Sequence, residues 1–447
     1  MDSKKRKINV LMLPFLAHGH ITPFLELAKK LAHKNFYIYL CSTPINLNSI
    51  KKRITDKDSL SIELVEIHLP CLPELPPHYH TTNGLPIHLN STLQTAFKMA
   101  SPSFSNILNT LSPDLLIYDF NLPWAPTIAS SYDIPAVDFM PVGVSMATFS
   151  LHKFMKGGDE FPFPKIQLRG FHETQFWNLI NKIAVDRTKN KEGSVEAMQR
   201  SCNIILFHTF RELEGQYVEY LSALAEKKIV PVGSLVRDID DEDENTEIME
   251  WLDNKDESST VFVSFGSEYF MSKEEIEEIA HGLEFSNVNF IWVVRFPMGD
   301  KVVPEETLPN GFIERVGERG RVVEGWAPQP RILAHSSTGG FVSHCGWNSI
   351  MESLKFGVPI VAMPMHLDQP LNARLVEEVG VAVEVNRDIN GRLNRENITQ
   401  VIRKVVLEKS GEDIRIKARE FSEMIRMKGE EEIDEVVKEL HQLCKWK

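Results

Sequence analysis

Short apolar runs recur along the chain, separated by longer segments in which apolar positions fall at helical spacing. In the first half these runs are INVLMLPF, FYIYLCST, SIELVEIHL, DLLIYDF, IPAVDFM and CNIILFHTF. They are continuously hydrophobic, not alternating, which predicts strands of a parallel sheet with helices on both faces. ITPFLELAKKLAHK follows the first run directly and gathers its apolar residues on one helical face. The second half repeats the plan. STVFVSFGS, NFIWVVRF, RVVEGW, TGGFVSHCG, PIVAMP and VAVEV read as strands, with helices at KEEIEEIAHGLEF, WNSIMESLKFG and ARLVEEVG between them. Such alternation predicts an α/β fold of doubly wound parallel sheets. No tandem repeat of fixed period is present.

Between the two sets of strands, Val236 to Glu250 contains RDIDDEDENTEIME, an acidic run with little core material. It is expected to be an exposed linker over 236–250, joining an N-terminal domain (1–235) to a C-terminal domain (251–420). From Arg415 onward the pattern is helical and amphipathic, and residues 421–447 are expected to form a C-terminal helix that packs back on the N-terminal domain. A chain of 447 residues is in any case too long for one compact core.

Charge and cysteine content narrow the function classes. A formal net charge of -13 disfavours a nucleic-acid or anionic-membrane partner. The five cysteines are odd in number and show no CxxC spacing, which suits free thiols in the cytoplasm. Basic residues before INVLMLPFLA mimic a short signal peptide. Pro14 breaks that run and no small-residue cleavage pattern follows, so a buried first strand is expected instead. No apolar stretch is long enough to span a bilayer. A monomer is expected.

The densest chemistry lies between Trp326 and Gln369, in WAPQPRILAHSSTGGFVSHCGWNSIMESLKFGVPIVAMPMHLDQ. Its polar residues sit in turns or at helix starts between apolar runs, as a nucleotide-sugar pocket requires. In FVSHCGWNSIMESL a strand ends at Ser343, Gly346 permits a close turn, and a helix begins whose N–H groups and dipole suit a diphosphate. His344, Asn348 and Ser349 are placed to add hydrogen bonds. Glu352 lies about one helical turn beyond Ser349, where its carboxylate can accept from both ribose hydroxyls. Taken alone, Ser349 and Glu352 would also pass as a helix-capping box, and Trp326 and Trp347 as ordinary packing aromatics. SFGS, from Ser264 to Ser267, ends another predicted strand and is weak evidence by itself.

His20 and Asp119 form the candidate catalytic pair. His20 is expected in a Gly-containing loop after the first strand, and Asp119 at the end of the fourth. A sugar hydroxyl needs a base as it attacks, and an imidazole oriented by a carboxylate supplies one. A buried structural histidine and a loop-capping carboxylate are the plainer alternatives. His18 is expected to lie behind the site. Asp238 and Asp240 match the Asp-x-Asp metal pattern, but no buried strand precedes them, and no third ligand lies near His18 and His20. No metal and no cofactor are expected.

Together with FLAHGHITPFLELAKKL and LLIYDFNLPWAP, the Trp326–Gln369 segment resembles the plant family 1 UDP-glycosyltransferases, over essentially the whole chain. The resemblance implies the GT-B fold, two doubly wound Rossmann-like domains facing a cleft. It implies an inverting enzyme with His20 as base and Asp119 as its partner. It places Trp326 on the uracil face, with Ala327 in the donor site and Gln329 near the base or ribose. Glu352 is implied at the ribose, and His344, Asn348, Ser349 and Ser267 at the diphosphate. Trp347, Asp368 and Gln369 are implied at the sugar. Gln369 at the last position usually accompanies glucose in that family, so UDP-glucose is the expected co-substrate.

HTTNGLP, FRELEG, FVSFGSEYF and MHLDQPLNAR look like the branch that adds a sugar to the sugar of an existing glycoside. This implies a flavonoid, terpenoid or similar glycoside as acceptor, extended through a β-1,2 or β-1,6 bond. Glu268 is then an acceptor contact, or alternatively a solvated turn residue. The Pro-rich region from Leu69 to Leu89 is either a polar pocket wall or a solvated loop. Transfer directly to an aglycone, a noncatalytic UDP-sugar-binding protein and a nucleotide-sugar epimerase are the competing functions.

Overall fold

The computed structural model describes residues 7–157, 159–187, 193–237, 239, 246–267, 269–295, 307–428 and 430–444. Among them the strands of the first half are β1 (Ile8–Leu13), β2 (Phe36–Ser42), β3 (Ile62–Glu66), β4 (Leu115–Asp119), β5 (Ala136–Met140), β6 (Ile204–Phe207) and β7 (Lys228–Pro231). They form one parallel sheet in the order β3-β2-β1-β4-β5-β6-β7. Val10 and Met12 of β1 pack on one face with Phe24 and Leu27 of the helix His18–His33. Leu11 and Leu13 pack on the other with Phe97 and Phe104. Burial on both faces is why the run is continuously apolar.

The second half supplies β8 (Thr260–Ser264), β9 (Asn289–Val294), β10 (Gly320–Glu324), β11 (Thr338–Ser343), β12 (Ile360–Ala362) and β13 (Ala382–Glu384). These form a second parallel sheet, ordered β10-β9-β8-β11-β12-β13. The helix Lys273–Ser286 beside it is closed at its start by a capping box, in which Ser272 and Glu275 satisfy each other's backbone N–H.

The chain divides into two compact units, and the division departs from the expected boundaries in three places. One unit is Met1–Asp159, Val185–Leu235 and Glu430–Lys447; the other is Glu160–Ala184 and Val236–Gly429. Residues 160–184 were expected in the N-terminal domain but pack with the second unit. Phe171 occupies the space where a Cβ on Gly391 would lie, only 2.4 Å from its ring, and Arg374 donates to the Lys165 carbonyl at 3.4 Å. The end of the expected linker is instead a helix, Thr246–Asp253, anchored by buried Ile248, Trp251 and Leu252. The C-terminal region is two helices, not one. Glu412–Lys428 belongs to the second unit, where Ser422 donates to the Lys355 carbonyl at 2.6 Å. Glu431–Cys444 belongs to the first, with Ile433, Val436 and Leu440 in the core beside β1 and the His441 ring 5.2 Å from Phe36. Among the described residues no helix is long and apolar enough to cross a membrane.

Candidate active site

In each sheet the strand order reverses once, between β1 and β4 in the first and between β8 and β11 in the second. Ligands of open parallel sheets bind beyond the carboxyl ends of the strands at such reversals. His20 follows β1 and Asp119 ends β4 in the first unit, and Ser267 follows β8 and His344 follows β11 in the second.

In the second unit, β8 ends at Ser264 and is followed by Gly266 at φ +76° and by Ser267 in a half-buried bend. β11 ends at Ser343 and is followed by His344, Cys345 and Gly346, the last being the N-cap of the helix Trp347–Phe356. Gly346 gives that helix no side-chain cap, and the positive end of the helix dipole lies at this turn, where it favours an anion. The His344 imidazole is wedged between two glycines. A Cβ on Gly266 would lie 2.6 Å from its Nε2, and a Cβ on Gly346 would lie 2.5 Å from the same atom. Burial pulls the His344 pKa down to about 4, the nearby His366 adds to this, and a Ser264 backbone hydrogen bond opposes it. His344 is therefore neutral near pH 7, and a bound diphosphate would raise its proton affinity.

Ser349 lies within the helix and not at its cap, so the capping-box alternative for Ser349 and Glu352 does not hold. Gln329, at the first position of the helix Gln329–Ala334, donates through Nε2 to Glu352 Oε2 at 2.6 Å and reaches Ser349 Oγ at 3.3 Å. Trp326 precedes it with 56% of its surface exposed, a bare aromatic platform, whereas Trp347 and Ala327 are buried. Asp368 and Gln369 follow β12 at the start of the helix Gln369–Glu378. Asp368 accepts from Asn372 Nδ2 at 2.7 Å, and the same nitrogen is 3.1 Å from the Cys345 carbonyl, tying this helix to the turn after β11. Glu268 lies outside the described residues, as do Asp238 and Asp240.

In the first unit, His20 stands in the first turn of the helix His18–His33 and not in the expected loop, with its N–H bonded to the carbonyl of the N-cap residue Ala17 at 2.9 Å. His18 opens the same helix. His20 Nδ1 is 2.6 Å from Asp119 Oδ2 at the end of β4. Asp119 is fully buried, and its other oxygen accepts from Asn121 N–H at 3.0 Å and Asn121 Nδ2 at 3.1 Å. An acceptor so committed requires Nδ1 to carry the proton, which leaves Nε2 of the neutral ring as the basic atom. Phe15 and Phe120 flank the ring at 5.7 and 5.6 Å, and its side chain is 19% exposed. The arrangement is a tautomer-fixed imidazole with a polar backing and apolar sides.

The Leu69–Leu89 region is no loose loop. Leu75, Leu85 and Leu89 join the core, and Thr43 Oγ1 donates to the carbonyl of buried His80 at 2.8 Å. Among the described residues, no group of three or more His, Cys, Asp or Glu side chains is placed to hold a metal ion.

Two Rossmann-like units with polar residues at their strand-order reversals define the GT-B class. A model described as "UDP-glucoronosyl and UDP-glucosyl transferase" matches residues 221–416, and one described as "Glycosyltransferase, N-terminal domain" matches residues 6–237. UDP-glucosyltransferase 29 of Panax ginseng is 58% identical, with 100% of this chain and 99% of that protein covered. The Beta-D-glucosyl crocetin beta-1,6-glucosyltransferase of Gardenia jasminoides is 53% identical, over 97% of this chain and 98% of that one. Among solved structures, a Glycyrrhiza uralensis enzyme complexed with glycyrrhetinic acid 3-O-monoglucuronide superposes with a TM-score of 0.83 at 24% identity, covering 98% of this chain and 96% of that one. This chain belongs to the UDP-glycosyltransferase family.

Proposed function

We propose that the protein transfers glucose from UDP-glucose to a sugar hydroxyl of a plant natural-product glycoside, forming a β-1,2 or β-1,6 bond with inversion. The observation that carries the mechanism is the 2.6 Å contact between His20 Nδ1 and Asp119. His20 Nε2 takes the proton of the acceptor hydroxyl as its oxygen attacks the anomeric carbon. The bond from that carbon to the diphosphate oxygen breaks, and its electron pair leaves with UDP. Asp119 steadies the imidazolium that forms.

In this reading the second unit holds the donor. Trp326 stacks on uracil beside Ala327 and Gln329, and Glu352 accepts from the ribose. The N-terminus of the helix Trp347–Phe356 receives the diphosphate with His344, Asn348, Ser349 and Ser267, and stabilises it as it departs. Trp347, Asp368 and Gln369 meet the glucose, and the reading assigns no metal. The glycoside acceptor is supported by the likeness to the crocetin glucoside enzyme, whose name specifies a glucosylated substrate and a β-1,6 bond. Glu268 is retained as an acceptor contact. The enzyme is placed in the cytosol as a monomer.

The test is a screen of matched pairs, each an aglycone and its monoglucoside, with UDP-glucose as donor and UDP release as the readout. Monoglucosides should react faster, with NMR placing the new bond on the existing sugar. Equal rates on the aglycones, or a product glucosylated on the aglycone, would contradict the acceptor class. UDP release that needs no acceptor would contradict transfer itself.

A further inference from the structure

Gln369 is only 5% exposed, and its side-chain oxygen accepts two backbone N–H groups, from Met365 at 3.0 Å and His366 at 3.1 Å. Two donors on one atom fix the orientation of the amide, since the nitrogen cannot take that place. The nitrogen instead donates to His366 Nδ1 at 3.0 Å. A neutral His366 accepting there carries its own proton on Nε2. Its ring rests against Tyr269 with centroids 5.3 Å apart. Tyr269 is held in turn, its hydroxyl donating to the Glu275 carboxylate at 2.8 and 3.0 Å. Glu275 also accepts from the Ser272 N–H and from Arg387, each at 3.1 Å. Three side chains thus stand behind the one remaining N–H of Gln369.

We infer that His366 is a positioning residue for the donor sugar, fixing the direction in which Gln369 presents that N–H. The inference rests on the reading that Gln369 meets the glucose of UDP-glucose. With its oxygen committed to the backbone, Gln369 can only donate to the sugar. Its direction of donation follows from the plane that the Met365, His366 N–H and His366 Nδ1 contacts define. Removing the Nδ1 acceptor leaves a buried N–H unsatisfied and lets the amide turn to find another partner.

His366→Phe keeps a ring against Tyr269 and removes the acceptor; His366→Asn returns an acceptor oxygen near the place of Nδ1. In the full-length protein, H366F should raise the KM for UDP-glucose about 10-fold, while its affinity for UDP, which has no sugar, stays near that of the parent. H366N should recover most of the loss. Gln369→Ala should raise the KM at least as much, and H366F should add little in its background. An unchanged KM in H366F, an equal loss of UDP affinity, or an H366N no better than H366F would overturn the inference. If Q369A leaves the KM for UDP-glucose unchanged, the donor-site reading fails and the inference falls with it. If Q369A raises the KM and H366F does not, the inference alone fails.

Discussion

Gln329 and Glu352 are joined by a 2.6 Å hydrogen bond from the amide nitrogen of one to the carboxylate of the other. The bond links the start of the helix Gln329–Ala334 to the middle of the helix Trp347–Phe356, and aligns the Glu352 carboxylate ahead of any nucleotide. Hydrogen bonds to a charged group are worth about 1.5–3 kcal/mol each, or roughly 10- to 100-fold in affinity. Glu352→Ala should therefore weaken UDP binding by roughly that range in isothermal titration. Gln329→Ala should weaken it less, and the double variant should fall short of the sum, because the two side chains act as a unit. Additive losses would show that Gln329 does not orient Glu352.

The placement of His344 between two glycines gives a cleaner genetic test. Gly346 has an ordinary φ of -60°, so a methyl group there strains nothing except its contact with His344, 2.5 Å away. Gly346→Ala should destabilise the second unit by about 1–3 kcal/mol, the usual cost of overpacking. Adding His344→Ala should restore much of the thermal stability while leaving UDP binding impaired. A double variant no more stable than G346A would mean that the clash is not with His344.

Acid should destabilise the second unit through two histidines. Burial holds both His172 and His344 at about 4, with the Arg387 charge contributing to the first and His366 to the second. Because these folded values lie below the unfolded value of 6.5, the unfolded chain takes up protons first as pH falls. The stability each contributes is whole above pH 6.5 and is lost as pH drops toward 4, by at most about 3 kcal/mol apiece. Thermal unfolding measured between pH 7.5 and 4.5 should show this decline. His172→Phe and His344→Phe should each flatten it, and curves parallel to the parent's would exclude the residue concerned.

Much of this architecture can be read from the chain because continuous apolar runs have few alternatives to buried parallel strands. The strand that escapes, β7, is KIVP, four residues at the sheet edge ending in Pro231, too short for a pattern to register. His20 reads as a loop residue because Gly19 and Pro23 are helix breakers. Here the helix runs on through Pro23, its sixth residue, and buries it with Ile21 and Phe24, so core packing outweighs the N–H that proline lacks. Apart from Ser267, the donor residues are legible because they lie in one contiguous segment, Trp326 to Gln369, where polar residues fall in turns or at helix starts between apolar runs. The His366 bond to Gln369, the wedging of His344 and the capture of residues 160–184 by the second unit depend on contacts that no local pattern encodes. His366 stands inside the legible segment, yet only its 3.0 Å bond to Gln369 distinguishes it from its neighbours.

The most direct test of the account is the turnover and UDP affinity of His20→Ala. His20 and Asp119 belong to the first unit, whereas the groups assigned to uridine and diphosphate belong to the second. Glucosyl transfer to a glycoside acceptor should fall by at least ~10²-fold, the lower range for loss of a general base, with the dissociation constant for UDP unchanged. Near-normal transfer by His20→Ala would contradict the mechanism.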